Sequence, residues 1–154
     1  MGATTFETIG LGKDAGAAYR TAVDDALWSR GHDGYTGTIA EKAGFELFTL
    51  PKGVTARRVM DKIDDAHWAL ICEENPSVFS TRREGPNARQ RNALAYLREK
   101  FGRDAESLLR TYDDKWGPAV AFELTNDVAR KAKEHAGRKG THDKVFLFCG
   151  YASC

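Results

Sequence analysis

Val145-Phe146-Leu147-Phe148-Cys149-Gly150-Tyr151 is the stretch that decides the fold class. It is apolar at nearly every position and of strand length. A short run with apolar residues on both faces reads as a strand at the centre of a sheet. Ala119 to Leu124 is a second mostly apolar run of strand length. Thr4 to Ile9 alternates polar and apolar residues, and Gly10 and Gly12 are expected to end it. Phe45 to Leu50 reads as a further strand, stopped by Pro51 and Gly53.

The rest of the chain has helical spacing. Asp14 is placed to cap a helix whose Ala15, Ala18, Tyr19, Ala22 and Val23 recur at intervals of three and four, with Gly31 just past its end. Thr55 caps a second helix with a stripe from Ala56 through Val59, Met60 and Ile63 to His67 and Leu70. Asn75-Pro76 ends it. Helical patterns follow from about Ala88 to Phe101, from Asp104 and from Asn126. Strands that are few and short, with an all-helical middle, predict an α+β fold. The expectation is a single compact domain over residues 1–154, with a small mixed or antiparallel sheet of about four strands and helices packed on it.

Composition narrows function without naming it. The chain has 154 residues, 42% of them hydrophobic and 29% charged, which suits one globular domain. A formal net charge of +1 excludes binding to nucleic acid or membrane driven by bulk charge. No apolar run approaches the roughly 20 residues a membrane span needs. The N-terminus MGATTFETIG has neither a basic nor an apolar segment of a secretory signal, so a cytoplasmic location is expected. Cys72, Cys149 and Cys154 form no CxxC pair and His32, His67, His135 and His142 are scattered, so no metal or other cofactor is expected. Cys72 should pack as a small hydrophobe, and Trp28, Trp68 and Trp116 read mostly as packing anchors, with Trp68 off the main stripe of its helix.

Four segments carry candidate chemistry. Gly10-Leu11-Gly12-Lys13-Asp14-Ala15-Gly16 joins a strand to a helix, where free N–H groups can hold an anion. Its GxGxxxG spacing is neither a dinucleotide fingerprint nor a P-loop, and a tight turn is the plainer reading. The segment from His32 to Lys42 gathers an imidazole, carboxylates, a phenol, hydroxyls and an ammonium around Gly31, Gly34 and Gly37. His32, Asp33, Tyr35, Thr36 and Thr38 are its candidate ligand-binding residues, set against a turn followed by an edge strand. Arg82, Arg83, Arg89 and Arg91 are the third candidate set, because guanidinium forks suit phosphate or carboxylate partners. The fourth is the second helix: His67 reads as a core histidine, and Asp61, Asp64 and Asp65 as its wet face.

GHDGYTGTIAEK, KWGPAVAFEL and the C-terminal VFLFCGYASC resemble blocks found in small uncharacterised proteins of bacteriophage genomes. The resemblance implies a setting, the cytoplasm of an infected bacterium, and no mechanism. It makes a host protein or a captured phosphate-bearing, nucleotide-like ligand the expected partner, as in proteins that blunt host defence. The leading expectation is therefore a non-enzymatic binding protein with no catalytic residue. A small nucleotide-acting enzyme with His32 as acid and base, and a structural virion protein, stand as alternatives. The sequence leaves oligomeric state open.

Overall fold

A computed structural model describes residues 2–77 and 85–154. The fold is α+β with a mixed four-stranded sheet. The elements run β1 (Ala3–Gly12), α1 (Ala15–Arg30), a 3₁₀ turn (Ile39–Glu41), β2 (Phe45–Leu47), α2 (Ala56–Glu74), α3 (Ala88–Phe101), α4 (Asp104–Asp113), β3 (Ala119–Leu124), α5 (Asn126–His135) and β4 (Lys144–Ser153). They fall into two compact units: Met1–Thr49 with Thr111–Cys154, and Leu50–Arg110. No helix is long and apolar enough to cross a membrane among the described residues.

The first unit is the sheet unit. Its strand order is β1-β4-β3-β2. β4 is antiparallel to both neighbours, and β2 is parallel to β3. Val145 to Cys149 are buried on both faces, as the apolar run predicts. On one face Phe6, Ala121, Phe146 and Phe148 pack beneath Ala18 and Ala22 of α1. Tyr19 leans across this face, its ring 5.6 Å from Phe148 and 5.4 Å from Phe45. Asp14 caps α1 by accepting from the Ala17 N–H at 2.8 Å, and the Gly31 N–H closes it on Leu27.

Two expectations about this unit are corrected. Gly10 does not end β1, which runs on to pair with β4 through its last residue, Gly12. The glycines serve close packing instead: a Cβ at Gly10 would lie 2.4 Å from the Ala18 carbonyl oxygen. The extended segment expected near Ile39 is a 3₁₀ turn, because the Thr38 side chain accepts from the Ala40 N–H and starts a helical turn there.

The second unit is helical. Thr55 caps α2 through its hydroxyl and the Arg58 N–H at 3.2 Å. Asn87 and Gln90 form a reciprocal capping box at the start of α3. Val59, Ile63, Ala66 and Leu70 of α2 are buried, as are Leu94 and Leu97 of α3. Cys72 is buried too, while His67 is only half-buried. Arg98 grips Glu73 with two nitrogens, at 3.2 and 2.9 Å, and reaches Glu106 at 3.0 Å.

Candidate functional site

The segment from Gly31 to Lys42 divides into a fixed half and an exposed half. In the fixed half the Thr36 N–H and hydroxyl both donate to Glu41 Oε1, at 3.0 and 2.9 Å. The Thr36 and Thr38 hydroxyls lie 2.8 Å apart. Those bonds, the backbone N–H of Thr36 foremost, hold the Glu41 carboxyl below its usual pKa. Thr36 and Thr38 are therefore part of the loop's own scaffold.

The same half closes the end of β4. β3 begins at Ala119, so the last carbonyls of β4 have no strand partner on that side. The Gly37 N–H donates to the Ser153 carbonyl at 2.9 Å. Lys42 is buried, and its Nζ donates to the carbonyls of Tyr151, at 2.9 Å, and of Asp114. Burial pulls the Lys42 ammonium below its usual pKa, opposed by the Asp114 charge. Gly37 has φ +68°, and a Cβ there would sit 2.5 Å from Thr4 Cγ2. Only glycine suits both conditions.

His32, Asp33 and Tyr35 make up the exposed half. No hydrogen bond to the His32 or Asp33 side chain comes from a described residue. Tyr35 is 53% exposed and has φ +53°, a left-handed backbone in a residue other than glycine. Its ring stands edge-on to Trp116 at 6.2 Å, and Lys115 Nζ lies 5.4 Å from the Trp116 ring centre. Trp116 is 49% exposed, so it is not a packing anchor. Asp114 Oδ1 holds its turn by accepting from the N–H groups of Trp116 and Gly117, at 3.0 and 2.9 Å. Trp28 is also corrected, at 93% exposed, whereas Trp68 is exposed as its position off the stripe suggests. The signal for Trp116 was local: an aspartate two residues before a Trp-Gly-Pro turn fixes backbone and leaves the ring outside.

Arg89 and Arg91 belong to the helical unit. Arg82 and Arg83 fall outside the described residues. Arg91 donates to the Pro86 carbonyl, beside the cap of α3. Arg89 pairs with Asp65 at 2.7 Å and helps line a cleft of about 250 Å³ with Arg58, Asp61, Lys62 and Ala93. Beside it, Arg58, Lys62 and Lys100 approach the Tyr96 ring centre at 5.6, 5.0 and 5.9 Å. Arg58 and Lys62 have no carboxylate partner among the described residues. Arg58 and Lys62 are one turn apart on α2, as are Arg89 and Ala93 on α3. That spacing places each pair on one helix face, but only tertiary packing brings the two faces together.

No protein-family model, curated protein or solved structure matches the chain.

Proposed function

We propose that the protein is a non-enzymatic binding protein that engages a partner protein through Tyr35 and Trp116. The observation that supports this reading is the way Tyr35 is held. Its left-handed backbone costs about 1–3 kcal/mol and persists where surrounding structure over-determines it. The Thr36–Glu41 bonds and the Trp116 edge contact supply that constraint. A half-exposed tyrosine beside a half-exposed tryptophan is the residue chemistry of an interface hot spot. Lys115 adds a cation that suits a carboxylate at the partner's rim. The phage resemblance supplies the setting, an infected cell in which the partner is a host protein. Acid–base catalysis by His32 has less support, since no described carboxylate orients its ring.

The test is affinity capture from a bacterial lysate followed by calorimetry with the protein retained. Tyr35→Ala and Trp116→Ala are each expected to weaken that complex by about thirtyfold or more. Retention of the same partner at unchanged affinity by both variants defeats the reading.

A second reading, capture of a phosphate-bearing ligand, is favoured by one observation. Arg58 and Lys62, which have no carboxylate partner among the described residues, line the same cleft as Arg89. Native mass spectrometry of freshly purified protein separates the two readings. A retained nucleotide mass that is lost in Lys62→Gln supports this one.

A further inference from the structure

Arg58, Asp61, Lys62 and Asp65 share one face of α2, spaced three or four residues apart. On that face Arg58 is placed to pair with Asp61, and Lys62 with Asp65. Neither ion pair forms. Asp65 is taken by Arg89 of α3, at 2.7 Å. Arg58 and Lys62 turn instead to the Tyr96 ring of α3, at 5.6 and 5.0 Å from its centre. Asp61 lines the same cleft, exposed and without a cationic partner among the described residues. The packing of α3 on α2 thus keeps apart charges that one helix alone would pair.

The result is a cleft with unmatched charge of both signs. Lys100 joins Arg58 and Lys62 at the Tyr96 ring, at 5.9 Å, with Glu99 beside it at 3.8 Å. The negative face of the ring attracts each cation, but a neutral ring cannot cancel their charge or their mutual repulsion. The Tyr96 hydroxyl has no hydrogen-bond partner among the described residues.

An anion beside the ring takes charge-assisted hydrogen bonds from Arg58 and Lys62. Two unmatched cations suit a phosphate monoester, which carries about −1.5 to −2 at neutral pH, better than a carboxylate or a phosphodiester with one charge. Asp61 repels that same ligand unless the ligand brings it a donor. Residues three apart on a helix have Cβ atoms about 5–6 Å from one another, so phosphate and donor are held about one turn apart. The cleft, at about 250 Å³, lies below the ~300–1,000 Å³ of pockets for drug-sized ligands, so the ligand is small.

We propose that this cleft binds a small phosphate monoester that also carries an N–H donor, with the phosphate on Arg58 and Lys62 and the donor on Asp61. The proposal rests on the phosphate-capture reading and adds to it the chemistry of the rest of the ligand. Two kinds of molecule have that chemistry. One is an aminoalkyl phosphate. The other is a nucleoside monophosphate whose base presents an exocyclic amine beside a ring N–H.

Calorimetric titration of the full chain at low salt tests this with two matched pairs of probes. Phosphorylethanolamine is set against ethyl phosphate, and guanosine monophosphate against uridine monophosphate, whose ring N–H is flanked by two carbonyls. In one pair the donor-bearing ester is expected to bind about tenfold more tightly or better, the worth of a hydrogen bond to a charged group. The pair that shows the gap names the source. Asp61→Ala should erase the gap, whereas Lys62→Gln should weaken the preferred ester and its counterpart alike. Asp61 is exposed, so its variant is expected to fold, with circular dichroism as the check. Equal affinities within both pairs overturn the proposal and leave phosphate capture standing. So does a gap that persists in Asp61→Ala. Binding by none of the four probes overturns both.

Discussion

β4 and β1 are each ten residues long and lie opposite one another residue for residue, but their backbones are satisfied in different ways. β4 has β1 on one side. On the other it has β3 and then, where β3 has not yet begun, Gly37 and Lys42. β1 has β4 on one side, and on the other no described residue bonds the outward backbone groups of Ala3, Thr5, Ile9 or Leu11. The difference shows what a polar loop does beside a buried strand. A central strand cannot leave carbonyls unpaired without a penalty of about 1–3 kcal/mol each. The His32–Lys42 segment carries its threonines, glutamate and lysine partly to meet that demand. An edge strand in contact with water pays no such penalty.

Core truncation should break the comparison most strongly. Phe148→Ala, on the central strand, should cost about 3–5 kcal/mol, because the ring is fully buried under α1. Ile9→Ala on the edge should cost under about 1 kcal/mol, since about half of that side chain is already in water. Urea midpoints measure both, and equal losses would mean that β1 is as enclosed as β4.

Next comes the approach of α1. Gly10→Ala sets a Cβ 2.4 Å from the Ala18 carbonyl oxygen, so helix and strand must separate. About 1–3 kcal/mol should be lost, as for overpacking in a core. An unchanged melting temperature would show that α1 does not press on β1.

Removing the end closure of β4 should follow. Lys42→Met keeps the aliphatic stem and deletes the donor to the Tyr151 and Asp114 carbonyls. A loss of about 1–3 kcal/mol is expected, with faster hydrogen exchange near Ser153. A neutral result would mean that water replaces the ammonium, and the loop would lose its structural role.

The smallest effect concerns Glu41. Its folded pKa lies below the ordinary value, held there first by the Thr36 N–H. The stability this provides is present above the ordinary carboxylate pKa and is lost as pH falls through the depressed folded value. Because the group is only partly buried, the loss should be about 0.5 kcal/mol. Glu41→Gln should flatten the acid limb of the stability curve, and an unchanged limb would remove Glu41 from the loop's scaffold.

Much of the architecture was legible because its causes are local. VFLFCGY reads as a central strand from its apolarity alone, and Asp14 and Thr55 sit where capping needs them. The full extent of β1 was not legible, because Gly10 looks like a terminator until α1 is placed against it. At the candidate site, composition singled out the segment as a whole without dividing it. Tyr35 and Thr36 are adjacent in sequence, yet one is exposed and the other is bonded to Glu41. The meeting of Tyr35 with Trp116, and of Arg89 with Arg58 and Lys62, was not legible, since each depends on a neighbour from another element.

The amino-acid sequence by itself determined where the four strands and the long helices lie, though not the 3₁₀ turn at Ile39 or the short extent of β2, since periodicity and caps act within a few residues. It also determined that the sheet has a central strand apolar on both faces, because that apolarity is written into consecutive residues. Only the tertiary structure decided which side of β1 stays open and which loop residues are spent on β4. Lys42 meets the Tyr151 carbonyl across 109 residues of chain. Such a bond depends on the register between β4 and its neighbours, and register is a property of the assembled sheet rather than of any single strand.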